Sequence, residues 1–319
     1  GYADISRNAL PGSLVHTPHI DRICDQGVYF SNYMTHHVCS PSRGGLLTGR
    51  HYSEVGVGVL TGGTLDNSIP NIAKDFQAAG YTTGAFGKWH NGDPPLSADG
   101  ASVYVNNLSE VIATNALYEM TPGEVPGEGV NAYGFDEWAG FYGGGHDYHD
   151  RINARQIDWW ENGVYAPFTT GYNTYIIRDD ALDFIDANAD TPFFLYVPME
   201  AVHAPYDVLN TDLEEMCNVV SSSHPGLSWA HVKELVSPLT GRKIEDVLQL
   251  HCHGGEEFDR GPLDAMLPGF ADLVYYTLGY AMDKATGEIL DRLAAYGLST
   301  NTVVVFAADN GGTNSGDNT

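Results

Sequence analysis

The sequence predicts an α/β fold, with a large, mainly parallel sheet covered by helices on both faces. Three observations carry that expectation. Strand-like and helix-like segments alternate along the chain. Two short runs, Phe193 to Val197 and Thr302 to Ala307, are apolar without alternation, as strands buried on both faces are. Three of the expected strands run into reactive polar residues, at the edge where open α/β sheets place their ligands. At 319 residues the chain suits one large domain or two smaller ones, with ample core.

The elements follow in order. Thr17-Pro18 opens a helix that Gly27 closes, with Ile20, Ile23 and Cys24 on one face. Val28 to Tyr33 reads as a strand. Ile69 to Ala79 is a helix ended by Gly80, and Tyr81 to Phe86 is the following strand. Thr174 to Asn188 is amphipathic, with Ile177, Ala181, Leu182, Phe184 and Ile185 sharing a face. Phe193 to Val197 is a buried strand. Phe270 to Tyr296 has helical period, with a break expected at Gly279 or Gly287. Thr302 to Ala307 is a β-branched, fully buried strand. Two stretches interrupt the rhythm, about 91–133 and 207–267. Both read as inserts, surface excursions of the kind that shape clefts.

Composition excludes several classes. Fifteen Lys and Arg face 41 Asp and Glu, a net charge of −26, which rules out a general basic surface for nucleic acid. With 43% hydrophobic and 18% charged residues the chain is not of disordered type. No apolar run reaches the roughly 20 residues of a membrane-spanning helix. Four cysteines, Cys24, Cys39, Cys217 and Cys252, are too few for a disulfide scaffold. Gly1 and the polar residues 313–319 suggest a fragment cut at both ends.

The chemistry collects at strand ends. Tyr81 to Phe86 leads into Gly87-Lys88-Trp89-His90, Phe193 to Val197 leads on to His203, and Thr302 to Ala307 leads into Asp309-Asn310. One shared site is expected. Lys88 and His90 lie two apart, so an extended segment would point both the same way. Asp309 and Asn310 offer hard oxygens, suited to Ca²⁺ or Mg²⁺ rather than zinc. Cys39 precedes Ser40, a good N-cap, and Pro41, a good first helical residue. A thiol at a helix N-terminus, with Arg43 one turn in, suits a nucleophile facing an oxyanion. A bare cysteine is more often a buried free thiol or half a disulfide; Ser40, Pro41 and Arg43 at these offsets favour the reactive reading. His251-Cys252-His253 fits no standard zinc spacing and reads as a polar loop. Asn107-Leu108-Ser109 matches a glycosylation acceptor, a pattern common by chance.

Cys39 to Arg50 (CSPSRGGLLTGR) resembles the sulfatase motif C-x-P-S-R-x-x-L-x-T-G-R at every fixed position, and Gly80 to His90 (GYTTGAFGKWH) resembles the second sulfatase motif. Thr17 to Asn32, Val202-His203-Ala204-Pro205 and Ala308 to Gly312 match further blocks in the expected order. Gly134-Phe135-Asp136 and the later run Gly144 to Tyr148 are most similar to the arylsulfatase B group. The resemblance implies an alkaline phosphatase-like three-layer α/β/α sandwich and a sulfuric ester hydrolase acting on a sulfated carbohydrate or small sulfate ester. It further implies that Cys39 is oxidised to formylglycine by a formylglycine-generating enzyme that reads Pro41 and Arg43. In its hydrated form, one hydroxyl attacks sulfur and the other expels sulfate. Arg43 and Lys88 would hold diol and sulfate oxygens, His90 would take a proton, and His203 would protonate the leaving alcohol. Asp309, Asn310 and the modified Cys39 would hold Ca²⁺ or Mg²⁺. His146, Asp147 and Tyr148 are candidate substrate contacts; many relatives carry Ser or Thr near the position of Gly145.

By the same resemblance, residues 1–319 are an incomplete N-terminal catalytic domain. A first strand bearing paired aspartates, a second lysine and a C-terminal domain are expected outside it, and 1–319 alone is expected to be inactive and poorly stable. Secretion, or a periplasmic or lysosomal place, is the family expectation. Two other readings stand beside this one. A phosphomonoester or phosphonate hydrolase would share the fold. A non-catalytic sulfated-glycan binder would keep the pocket without the chemistry.

Overall fold

The computed structural model describes residues 4–57, 64–92, 129–149, 151–153, 156–166, 170–204, 206–240 and 270–311. Asn107-Leu108-Ser109, His251-Cys252-His253 and most of the insert at 91–133 lie outside these residues.

The described sheet has five strands: β1 (Thr82–Lys88), β2 (Glu137–Phe141), β5 (Trp160–Glu161), β6 (Val164–Tyr165) and β7 (Phe193–Tyr196), in the order β6-β5-β2-β1-β7. β3 (Ile152–Asn153) and β4 (Gln156–Ile157) form a separate antiparallel pair. β1 pairs in parallel with both β2 and β7, aligning Lys88 with Phe141 and Ala85 with Tyr196. β5 and β6 run antiparallel, so the described sheet is mixed rather than mainly parallel. The cause is local. Asn162 and Gly163 both adopt positive φ, 48° and 80°, the backbone of a two-residue hairpin turn whose twist suits antiparallel strands.

Helices cover both faces. On one side α2 (Cys39–Thr48) and α3 (Ile72–Ala78) contribute Leu47 and Ala73 to a core with Ala85, Trp138 and Tyr142. On the other, α4 (Asn173–Asn188) sets Ile177, Ala181 and Phe184 against Phe86, Ala139 and Phe141. Neighbouring strand residues Ala85 and Phe86 thus face opposite layers, as the period of two requires. α4 starts one residue from the expected position and buries Ile177, Ala181, Phe184 and Ile185; Leu182 is half-buried at the margin.

Of the insert expected over 207–267, residues 207–240 are described, and these pack as core. Its helices α5 (Asn210–Val220) and α6 (Trp229–Thr240) bury Leu213, Met216, Cys217 and Val232 against the long α7 (Phe270–Ala295). α7 runs unbroken through both glycines. At Gly287 a Cβ would lie 2.5 Å from the His19 ring of α1 (Pro18–Gln26), so this glycine admits a close helix crossing.

Two expected strands are not strands here. Val28 to Tyr33 is irregular, with Val28 78% and Phe30 74% exposed. Thr302 to Ala307 forms no ladder, and Val303 is 91% exposed. Their composition is that of buried strands, but β7 is the sheet edge among the described residues, and no described strand lies alongside either segment.

Candidate active site

α2 begins two residues earlier than its capping signals suggest. Val38 is the N-cap and Cys39 the first helical residue, so Ser40 and Pro41 lie inside the first turn. Pro41 is tolerated there because the first N–H groups of a helix have no intrahelical partner. Ser42 Oγ donates to the Val38 carbonyl at 2.9 Å, tying the turn together. Cys39 is half-buried at the positive end of the helix.

Arg43 and Lys88 close on this point. Lys88 ends β1 with 1% exposure, and its Nζ stands 3.4 Å from Cys39 Sγ. Burial, then the Arg43 cation, lowers the Lys88 pKa. Arg43, also buried, donates through Nη1 to the Lys88 carbonyl at 2.9 Å. Its Nε and Nη2 donate to Asp309 Oδ2 at 3.1 and 2.7 Å. Burial raises the Asp309 pKa, but Arg43 and Lys88 outweigh it and hold the carboxyl below its ordinary value.

The two histidines border the same cations. His90 leaves the strand with φ 51°, so the shared direction expected from strand alternation with Lys88 does not apply. Burial first, then the charges of Lys88 and Arg43, push the His90 pKa down to about 3, leaving a neutral imidazole. His203 is open to solvent, held by Nδ1 to the Ala204 carbonyl at 2.6 Å and by its N–H to the Glu200 carbonyl at 2.9 Å. Desolvation by the surrounding wall and the Lys88 charge lower its pKa as well. Cys39, Arg43, Lys88, His90, His203 and Asp309 therefore converge from four separate stretches of chain.

His146, Asp147 and Tyr148 are buried, at 2%, 4% and 0% exposure. Tyr148 donates from its hydroxyl to the His203 carbonyl at 3.0 Å, which supports the histidine rather than an open space. His146 Nδ1 lies 2.9 Å from the Asp147 carbonyl and 3.2 Å from Glu200 Oε2. Burial pushes the Glu200 pKa up to about 8 and that of His146 down to about 3, so this is a neutral pair. Sequence reasoning missed Glu200. Its signal was a carboxylate at the exit of an apolar strand, three residues before His203, where an unpaired charge would be costly.

Asp309 and Asn310 fit a hard cation. Among the described residues Asn310 Oδ1 is a buried oxygen with no hydrogen-bond partner, while its Nδ2 donates to the Gly311 carbonyl at 2.8 Å. An orphaned acceptor beside a carboxylate is a donor set for Ca²⁺ or Mg²⁺. No group of three or more His, Cys, Asp or Glu able to hold a metal occurs among the described residues.

The family model for Sulfatase matches residues 3–318. The ulvan-active sulfatase of Formosa agariphila is 28% identical over 93% of this chain and 46% of its own length. The N-acetylgalactosamine-6-O-sulfatase of Bacteroides thetaiotaomicron is 28% identical over 98% of this chain and 57% of its own. The chain thus spans about half the length of these curated relatives. A protein solved in complex with its substrate D-glucosamine-2-N,6-O-disulfate superposes with TM-score 0.60 at 21% identity, covering 94% of this chain and 61% of the other. The phosphonate monoester hydrolase of Agrobacterium radiobacter superposes with TM-score 0.50 at 16% identity, covering 93% and 57%. The architecture is that of the alkaline phosphatase-like α/β group, and with the motifs around Cys39 and Lys88 brought to one place, this chain belongs to the sulfatase family.

Proposed function

We propose that this chain carries the catalytic site of a sulfuric ester hydrolase acting on a sulfated carbohydrate, with Cys39 in its formylglycine form. The supporting observation is the convergence at Cys39. The buried Lys88 ammonium stands 3.4 Å from Sγ, and Arg43 is locked between the Lys88 carbonyl and Asp309. The modified side chain, hydrated, supplies the hydroxyl that attacks sulfur. Lys88 and Arg43 meet the charge that gathers on the sulfate oxygens, in surroundings where electrostatic attraction is poorly screened.

His90, held neutral, accepts a proton at a ring nitrogen during release of sulfate. His203 donates Nδ1–H to Ala204, leaving Nε2 for the ester oxygen. Free His203 is biased to the neutral form, and the negative charge of a bound sulfate ester raises its pKa toward that of an acid. Asp309 and Asn310 would hold a divalent cation, which neutralises sulfate charge when bound.

Pro41 and Arg43 are buried in the folded chain. A formylglycine-generating enzyme that reads them acts before α2 packs. Relatives named for action on ulvan and on N-acetylgalactosamine-6-O-sulfate support a carbohydrate substrate; a secreted, periplasmic or lysosomal setting is what the family resemblance implies. No helix among the described residues is long and apolar enough to cross a membrane.

Mass spectrometry of the Cys39 peptide, from full-length protein made in its native host, tests the reading. An aldehyde in place of the thiol, with turnover of a nitrophenyl sulfate above its phosphate analogue, is expected. The fold shared with a phosphonate hydrolase keeps phosphoester hydrolysis as the second reading, supported if the phosphate is preferred. An intact thiol with glycan binding and no turnover overturns both in favour of a binder.

A further inference from the structure

Gly143, Gly144 and Gly145 form a half-buried loop between β2 and the buried His146. Its backbone lies against both site imidazoles. A Cβ on Gly144 would stand 3.0 Å from His90 Nε2, and one on Gly145 would stand 2.7 Å from His203 Nδ1. Neither residue has the positive φ that by itself calls for glycine, so the constraint here is the rings.

Each end of this loop is gripped by a buried carboxyl side chain. Asp158, with no exposure, accepts from Tyr142 N and Trp160 Nε1 on Oδ1, at 3.2 and 3.0 Å, and from Gly143 N on Oδ2 at 2.7 Å. Glu200, 4% exposed, accepts from His146 N on Oε1 at 2.7 Å and from Asn173 Nδ2 on Oε2 at 2.5 Å. The Glu200 carbonyl also holds the His203 N–H, so one residue fixes both the loop and the histidine it touches.

We propose that Asp158 and Glu200 are positioning residues that clamp the two ends of the Gly143–Gly145 loop and thereby seat the imidazoles of His90 and His203. Three consecutive glycines have more backbone freedom than any other tripeptide and hold no ring in place unaided. Buried acceptors that each take several N–H donors remove that freedom at both ends. This inference rests on reading His90 and His203 as the proton-handling pair.

The test uses full-length matured enzyme with isotope-labelled histidine. Ring resonances are assigned by their loss in His90→Gln and His203→Gln. Gly144→Ala is expected to move mainly the His90 ring signals and Gly145→Ala mainly those of His203. Glu200→Gln and Asp158→Asn change little volume but leave one acceptor where two served, and are expected to shift the ring nearest their end of the loop. On nitrophenyl sulfate, kcat falls about 10- to 100-fold with KM little changed, the mark of lost orientation. Gly226→Ala, where a Cβ meets open space, moves neither ring. Folded Glu200→Gln and Gly145→Ala proteins with wild-type ring signals overturn the inference. The ring signals also separate it from the assigned activity. If the rings move as expected while wild type turns over no sulfate ester, the clamp stands and the sulfatase assignment fails.

Discussion

Arg43 and Asp309 lie 266 residues apart in sequence and meet through two hydrogen bonds onto a single carboxylate oxygen. The contact joins the first turns of α2 to the loop that follows Thr302 to Ala307. It places a fixed cation beside Cys39 and a carboxylate beside the orphaned Asn310 Oδ1.

Lysine cannot replace Arg43 here. The guanidinium fork reaches Asp309 with Nε and Nη2 while Nη1 holds the Lys88 carbonyl, and an ammonium has neither the reach nor the planarity. Arg43→Lys in the matured enzyme is expected to lose about 10²- to 10³-fold in kcat, the cost of one oxyanion donor. Steady-state rates within threefold of wild type would show that the fork is not needed.

A divalent cation should bind at Asp309 and Asn310 and stabilise the fold that holds it. Chelator treatment of the full-length protein should lower its thermal midpoint and added Ca²⁺ restore it, with Asn310→Ala blunting the response. A midpoint indifferent to chelator and Ca²⁺ in the wild type would remove these residues from any metal site.

Stability should rise with pH between about 3 and 6.5 in part through His146. Its folded pKa, about 3, lies below the ordinary 6.5, so the unfolded chain binds the extra proton in that window and unfolding gains as pH falls. Glu200 works in the opposite sense. Its folded pKa is raised to about 8, so the folded state binds the extra proton and stability declines as pH rises above the ordinary glutamate range. Urea midpoints across pH 4 to 9 measure both limbs. His146→Gln should flatten the acid limb; an unchanged slope would show that other groups carry it.

Gly287→Ala sets two effects against each other. Alanine gains about 1 kcal/mol of helix propensity in α7. Its Cβ would stand 2.5 Å from the His19 ring, and α1 is tied to α7 there because Asp283 accepts from His19 N at 3.1 Å and Ile20 N at 2.7 Å. Overpacking of this kind costs about 1–3 kcal/mol, so a lower urea midpoint is expected. A stabilised variant would mean the crossing yields freely.

Much of this was readable locally. The start of α1 at Pro18, the face of α4 and the position of β7 follow from capping residues and period, which act over a few residues. The convergence of Cys39, Lys88, His203 and Asp309 was readable as well, because strand ends carry ligands in this class of sheet. Val28 to Tyr33 and Thr302 to Ala307 show the limit: composition states that a segment suits a buried strand, and says nothing of whether a partner lies alongside. The helices α5 and α6 show the reverse, since the described part of a polar-looking insert packs as core in the cluster that α7 completes.

By itself the sequence determined which residues are candidates for the chemistry, the family they place the chain in, and the alternation that makes an α/β fold. These rest on residue identity and short-range spacing. Only the tertiary structure decided that Glu200 and Asp158 grip a glycine loop, that His146 and Tyr148 are internal supports, and that Gly287 yields space to His19. Those are contacts between segments far apart in the chain, and their geometry exists only once burial has removed the alternatives.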